Sequence, residues 1–179
     1  MFPTKNLFFI NGSASRHAAN EKILAHLGRL LSPEFRVSIF NELKSLPHFD
    51  PELSTANPPS EIIAFRNRIA AADGLVFCTP EYVFSIPSGL KNALEWCVAT
   101  TLFTGKPTGI ITASASGRKG HAELQLILKT LGACCTPATT LLIPGVKGKV
   151  NEAGDITDGE TLQALAGFVY AFQSAVKNS

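Results

Sequence analysis

The chain is short of charge of either sign. Sixteen Lys and Arg stand against fourteen Asp and Glu, a net +2. The basic residues are scattered rather than grouped in a stripe, so the electrostatic footprint of a nucleic-acid-binding protein is missing. Long apolar runs are also missing, and nothing approaches the roughly 18 residues needed to cross a bilayer. The first stretch, Met1 to Asn11, holds one short apolar segment that leads straight into a turn. It has neither the longer apolar core nor the small-residue cleavage site of a secretory signal, which makes the expected compartment cytoplasmic. Cysteine is sparse. Cys78 and Cys97 are isolated, and Cys134 and Cys135 are adjacent with no His or Cys at ligand spacing. No metal site is expected, and the thiols read as small reduced hydrophobes. Any redox chemistry is therefore left to a bound group.

What is present is an alternation. The 179 residues, 45% hydrophobic and 17% charged, suit one domain with a buried core and argue against disorder. There is no internal repeat, low-complexity tract or dividing linker. Leu7-Phe8-Phe9-Ile10 is a continuous apolar run ending at Asn11-Gly12, as for a strand buried on both faces. Ile23, Leu27, Leu30 and Leu31 then recur at helical spacing until Pro33, and Arg36 to Phe40 alternates as a more exposed strand. Residues Leu46 to Pro59 hold four prolines and read as a loop. Ile62, Phe65 and Ile69 mark a helix, and Leu75 to Cys78 a buried strand stopped by Thr79-Pro80. Leu90, Ala93, Leu94, Cys97 and Val98 form an amphipathic face. Thr108 to Ala113 and Thr139 to Ile143 read as strands. Leu124, Ile127, Leu128 and Leu131 mark one further helix, and Leu162, Leu165, Ala166, Val169 and Phe172 the last. Repeated strand-then-helix units predict an α/β fold, a doubly wound parallel sheet with helices on both faces. Ligands bind such sheets beyond the carboxyl ends of the strands.

Function then turns on three loops. The first, Asn11 to Asn20, offers Gly12, Ser13, Ser15, Arg16 and Asn20 at a helix start, where oriented N–H groups and the helix dipole favour a phosphate. An ordinary capped helix start uses the same residue types. The loop has neither the G-x-x-x-x-G-K-S/T spacing of a triphosphatase nor the G-x-G-x-x-G of a dinucleotide fold, so a monophosphate fits better. In the second loop Pro80 and Pro87 fix the backbone around Tyr82, Val83, Phe84 and Ile86. Apolar groups at a strand's carboxyl end suit a stacked planar ring, or else packing under a neighbouring loop or subunit. The third loop, Ala113 to His121, is rich in small residues that let a ligand approach the backbone. His121 there is a donor to a ligand oxygen or a plain surface residue.

The string Pro80-Glu81-Tyr82-Val83-Phe84-Ser85-Ile86-Pro87-Ser88-Gly89-Leu90-Lys91-Asn92-Ala93-Leu94-Glu95-Trp96 resembles a signature of the NADPH-dependent FMN reductase family, P-E-Y-N-x-S-I-P-x-x-L-K-N-A-I/L-D/E-W. Arg68 to Gly74, and Gly12-Ser13 with Asn20, are similar to the family as well, and the likeness in pattern runs from about Leu7 to Leu131. The resemblance implies a five-stranded flavodoxin-like sheet of order 2-1-3-4-5. It implies that Ser13, Ser15, Arg16 and Asn20 surround an FMN phosphate. Pro80, Glu81, Tyr82 and Val83 would lie along the flavin ring, and Ser114, Ser116 and Gly117 would complete the pocket. NADPH or NADH would be the reductant and a quinone, free flavin, azo dye or metal oxyanion the acceptor. A homodimer or homotetramer is the implied assembly.

The chain departs from the family at three places: Ser15 where Arg is common, Ala18 where Ser is common, and Val83 in place of Asn. With the cofactor carrying the chemistry, no side chain need act as acid, base or nucleophile. Rival readings are a flavodoxin-type electron carrier, for which +2 is a weak docking charge, and a flavin-free relative. A receiver domain would need an acidic cluster where this chain has Asn11 and an Asp where it has Thr79-Pro80.

Overall fold

A computed structural model describes residues 4–15, 18–151 and 153–179; Arg16 lies outside the described residues. Five strands pair in parallel: β1 (Asn6–Asn11), β2 (Arg36–Phe40), β3 (Gly74–Thr79), β4 (Thr108–Ser114) and β5 (Thr140–Pro144), in the spatial order β2-β1-β3-β4-β5. The continuous apolar runs take the middle of the sheet. Leu7 pairs with Gly74 and Ile10 with Phe77, and Val76 pairs with Gly109 on the other side. Strand β2, whose sequence alternates, lies at the edge with Arg36 and Ser38 exposed. The pattern of hydrophobicity therefore sets strand position directly.

Among the described residues six α-helices cover the two faces: α1 (Ala19–Leu31), α2 (Pro51–Ala56), α3 (Ser60–Ala70), α4 (Ser88–Glu95), α5 (Arg118–Thr130) and α6 (Gly159–Lys177). On one face Ile62 and Phe65 of α3, Leu90 of α4 and Leu124 of α5 pack on Phe8, Ile10 and Phe77. On the other face Ile23 and Leu27 of α1 and Phe168 and Phe172 of α6 pack on Leu7, Phe9, Val76 and Ile111. Alternate residues of each central strand feed opposite cores, as the two-residue period of a strand requires.

The expected loop over Leu46 to Pro59 contains α2. The prolines mislead there because Pro51 occupies the first helical turn, where its missing N–H costs nothing. The Asp50 carboxylate accepts from the N–H groups of Glu52 (2.9 Å) and Leu53 (3.0 Å) and caps the turn. Arg66 then staples α2 to the end of α4, donating to the carbonyls of Ser54 and Trp96. The face expected to run through Val98 is also shorter than its periodicity: α4 stops at Glu95, and Val98 is 60% exposed.

The order β2-β1-β3 reverses the direction of winding between β1 and β3. Such a reversal leaves a crevice at the carboxyl ends of those strands. The loops after β1, β3 and β4 meet there.

Candidate functional site

The first loop turns sharply over the sheet. Gly12 donates to the Cys78 carbonyl at 2.8 Å. A Cβ on Gly12 would lie 2.5 Å from Thr79 Oγ1 and 2.9 Å from Leu90 Cδ2, so only glycine fits this close approach. The Ser13 N–H donates to Asn11 Oδ1 (3.0 Å) and the Ser15 N–H to Ser13 Oγ (3.2 Å), a self-supported curl ahead of α1. Ala18 holds the cap position and offers α1 no side-chain acceptor, which leaves the helix start suited to an outside anion. Glu21 already places a carboxylate in the first turn, so an anion there needs donors from the loop as well as the dipole.

Of the residues expected around the phosphate, Ser13 and Ser15 do come to the start of α1, and Arg16 lies outside the described residues. Asn20 is turned inward. It is 3% exposed, donates to the Ala113 carbonyl (3.3 Å) and accepts from the Cys78 thiol (3.3 Å). Its amide braces α1 against β3 and β4.

The second loop is a tight turn. Tyr82 and Ser85 exchange backbone hydrogen bonds (2.9 and 3.0 Å) around Val83 and Phe84, whose φ angles are 51° and 59°. Two successive left-handed residues make the turn type that favours Asn-Gly. Here a β-branched Val and a Phe adopt it, against their preference. Neither is buried: Val83 is 93% and Phe84 78% exposed, with Tyr82 at 41%, whereas Ile86 is buried at 4%. Among the described residues Val83 and Phe84 are left largely uncovered, so packing under a neighbouring loop does not account for those two.

Two carboxylates tie this turn to α5. Glu81 accepts from the N–H groups of Gly120 (2.8 Å) and Gly117 (3.3 Å) at the start of that helix. Glu123 Oε2 accepts from the Ser85 hydroxyl (2.7 Å) and the Ile86 N–H (3.0 Å). Glu81, expected along the flavin ring, thus spends its carboxylate on a helix cap. Ser114 Oγ accepts from the Glu81 N–H (3.2 Å) and joins the third loop to the second. Gly117, at φ 84°, makes the left-handed bend into α5. Ala115 and Ser116 remain exposed, whereas Pro80 is buried. His121 Nδ1 lies 2.8 Å from Thr112 Oγ1, and burial holds its pKa below the usual value, so the ring is neutral at pH 7.

Beside the first loop lies a cavity of about 470 Å³, walled by Asn11, Ser13, Ser15, Asn41 and Lys44 among others. Asn11 Nδ2 donates to Asn41 Oδ1 (3.0 Å) across its floor. Sequence reasoning missed the Asn41–Ser45 wall, whose polar residues resemble any surface turn. It missed Glu123 too, on a helix face whose charge has the look of solvation.

The residues present fit a flavin monophosphate. A helix start without a side-chain cap and small exposed residues at Ala14, Ser15, Ala115 and Ser116 leave room for a phosphate and a linker. An exposed apolar turn at the same end of the sheet offers a surface for a ring. Among the described residues no cluster of His, Cys, Asp or Glu could hold a metal, and no helix is long and apolar enough to cross a membrane.

Likeness to known proteins agrees with this geometry. A reductase of Vibrio ruber, the NADH:(hydroxy)cinnamate reductase subunit CrdA, is 30% identical over 166 residues, covering 89% of this chain and 81% of its own. A quinone reductase of Escherichia coli is 29% identical over 168 residues, with 90% and 89% covered. In fold, the flavoenzyme NAD(P)H:(acceptor) oxidoreductase FerB of Paracoccus denitrificans superposes with a TM-score of 0.79 at 24% identity over 98% of each chain. The NADPH-dependent FMN reductase family itself matches residues 6–147, and the chain belongs to that family of FMN- and NAD(P)H-using oxidoreductases.

Proposed function

We propose that this chain binds FMN across the carboxyl ends of β1, β3 and β4 and passes reducing equivalents from NADH or NADPH to a small-molecule acceptor. The observation that carries the proposal is the Tyr82–Ser85 turn, apolar, exposed and fixed to α5, at the same end of the sheet as the uncapped start of α1. Ser13, Ser15 and Arg16 would receive the phosphate, with Asn20 bracing the helix that presents them. Pro80, Glu81, Tyr82 and Val83 would form one side of the ring site, largely through backbone groups, and Ser114, Ser116 and Gly117 the other. Bound FMN would supply hydride and electron transfer, and the chain's residues need only bind, orient and leave one ring face open.

The favoured acceptor would be planar and conjugated. The Vibrio ruber relative is named for a hydroxycinnamate and the Escherichia coli relative for a quinone, and both suit stacking on an open ring face. Free flavin and azo dyes share that shape, and a metal oxyanion needs only the same exposed edge. A pure electron carrier is less well supported, because a net charge of +2 gives partner docking little steering. The reading takes residues 1–179 as one FMN-binding domain, acting in the cytoplasm where reduced nicotinamide is consumed. We also infer self-association as a homodimer or homotetramer. Between α4 and α5 lies an apolar groove of about 420 Å³, lined by Phe49, Leu94, Val98, Leu126 and Leu131. Sedimentation at rising concentration tests that inference.

The deciding experiment is a titration of the purified protein with FMN and riboflavin, followed by steady-state oxidation of NADPH and NADH with a quinone. FMN should bind at least tenfold tighter than riboflavin, and double-reciprocal plots should be parallel, as for two half-reactions at one site. Equal binding of the two flavins would refute the phosphate site. Absence of turnover with bound FMN would favour the carrier.

A further inference from the structure

We propose that Glu123 is a positioning residue for the ring site, fixing the Tyr82–Ser85 turn through the Ser85 hydroxyl and the Ile86 N–H. The inference rests on the flavin reading of the site. The turn closes on two backbone hydrogen bonds between Tyr82 and Ser85, but over residues that disfavour its shape. Val83 and Phe84 both adopt φ angles that their side chains disfavour, and both point to solvent, so neither contributes a buried anchor. Ile86 is the first buried side chain after the turn. At that junction one oxygen of Glu123, half-buried on the second turn of α5, collects both donors at 2.7 and 3.0 Å. Such charge-assisted bonds to a carboxylate are stronger and more directional than neutral ones.

Glu81 grips the amino end of α5 on the other side of the turn. Between them the two carboxylates reference the turn to one rigid helix. That same helix begins at the third loop, so Glu123 sets the spacing between the two walls of the ring site. Its role is to keep the turn formed before any ligand arrives, which spares the ligand the ordering step.

The test uses flavin-free protein first. Single-residue amide exchange by NMR should show Ile86 protected in the wild type and exchanging at least tenfold faster in Glu123→Ala. The dissociation constant for FMN should then rise about tenfold. Glu123→Gln, which keeps one acceptor oxygen and is the safer variant for folding, should fall between the two. Adding Val83→Asn, which suits a left-handed position, should restore FMN affinity in the Glu123→Ala background more than it improves the wild type. Unchanged Ile86 exchange in both Glu123 variants overturns the proposal. Faster exchange with unchanged FMN affinity overturns it as well, because the clamp would then serve the turn but not the ligand. Failure of the wild type to bind FMN defeats the flavin reading, and the exchange data, taken without flavin, separate that failure from loss of the clamp.

Discussion

Replacing Val83 by Asn should make the flavin-free protein more stable. Val83 has φ 51° and is followed by Phe84 at φ 59°. A left-handed conformation costs roughly 1–2 kcal/mol for an ordinary L-residue, and a β-branched side chain is worse placed than most. Asn is several-fold enriched in that region, so it escapes much of the cost. What the substitution gives up is small. At 93% exposure Val83 buries almost no apolar area, and the transfer contribution is near zero. The net gain is therefore about 1 kcal/mol. For a chain of this size that raises the melting temperature by about 2–4 °C.

Glycine is a sharper check on the mechanism. It removes the strain fully but loses roughly 0.5–1 kcal/mol through the greater freedom of the unfolded chain, so Val83→Gly should gain less than Val83→Asn. Thr101→Asn is the control, because Thr101 is also β-branched and exposed and is not among the residues at positive φ. Thermal and urea unfolding, followed by far-ultraviolet circular dichroism, give all three differences. If Val83→Asn melts at or below the wild type, or gains no more than Thr101→Asn, the strain argument is wrong.

Arg16→Ala should weaken FMN by about one to two decades, the worth of a charge-assisted bond to phosphate, whereas exposed Arg118→Ala should change it little; equal losses in a fluorescence titration would misplace the guanidinium. Tyr82→Ala should lower FMN affinity or the reduction rate without shifting the melting temperature by more than about 2 °C, since the residue is 41% exposed on a loop; unchanged binding and turnover would count against the ring site. Burial pushes the Cys97 thiol up to about 12, and burial together with neighbouring Cys134 pushes Cys135 up to about 11, while buried Cys78 is raised as well. A disulfide reagent at pH 8 should therefore label exposed Cys134 alone in the native protein, as mass spectrometry would read. Because these folded-state values lie above the unfolded thiol value of about 8.5, their contribution to stability is complete below that pH and lost as pH rises through 11 to 12; a urea midpoint that holds constant from pH 8 to 11 would refute it.

The sheet was legible because its information is local. Leu7 to Ile10 and Leu75 to Cys78 are apolar at every position, which only a strand covered on both faces tolerates, and both lie in the centre of the sheet. Arg36 to Phe40 alternates and lies at the edge. Helix α2 carried its own local sign as well, since Asp50-Pro51 is a cap followed by a first-turn proline; the surrounding prolines outweighed it. The length of α4 was misjudged for another reason. Cys97 is buried after the helix has ended, so the apolar period continues past the hydrogen bonds that define the element.

The three loops that meet at the carboxyl ends of the strands were legible in the sequence, but the bonds between them were not. Asn20 reaches Cys78 and Ala113, which lie 58 and 93 residues further on, and Glu81 and Glu123 close contacts over 36 to 39 residues. No periodicity carries such pairings, because they exist only after the sheet has brought the three loops together. Their consequence is chemical. Ser13, Asn20, Glu81 and Ser114 each spend a side-chain acceptor on the frame, while Ser15, Ser116 and the apolar turn stay exposed. A frame bonded this way orients its donors before any ligand arrives. The same logic explains how Val can stand where the family's usual Asn would suit the backbone better: two carboxylates and a buried Ile86 hold the turn from outside, and the strain at Val83 is borne by α5 rather than relieved locally.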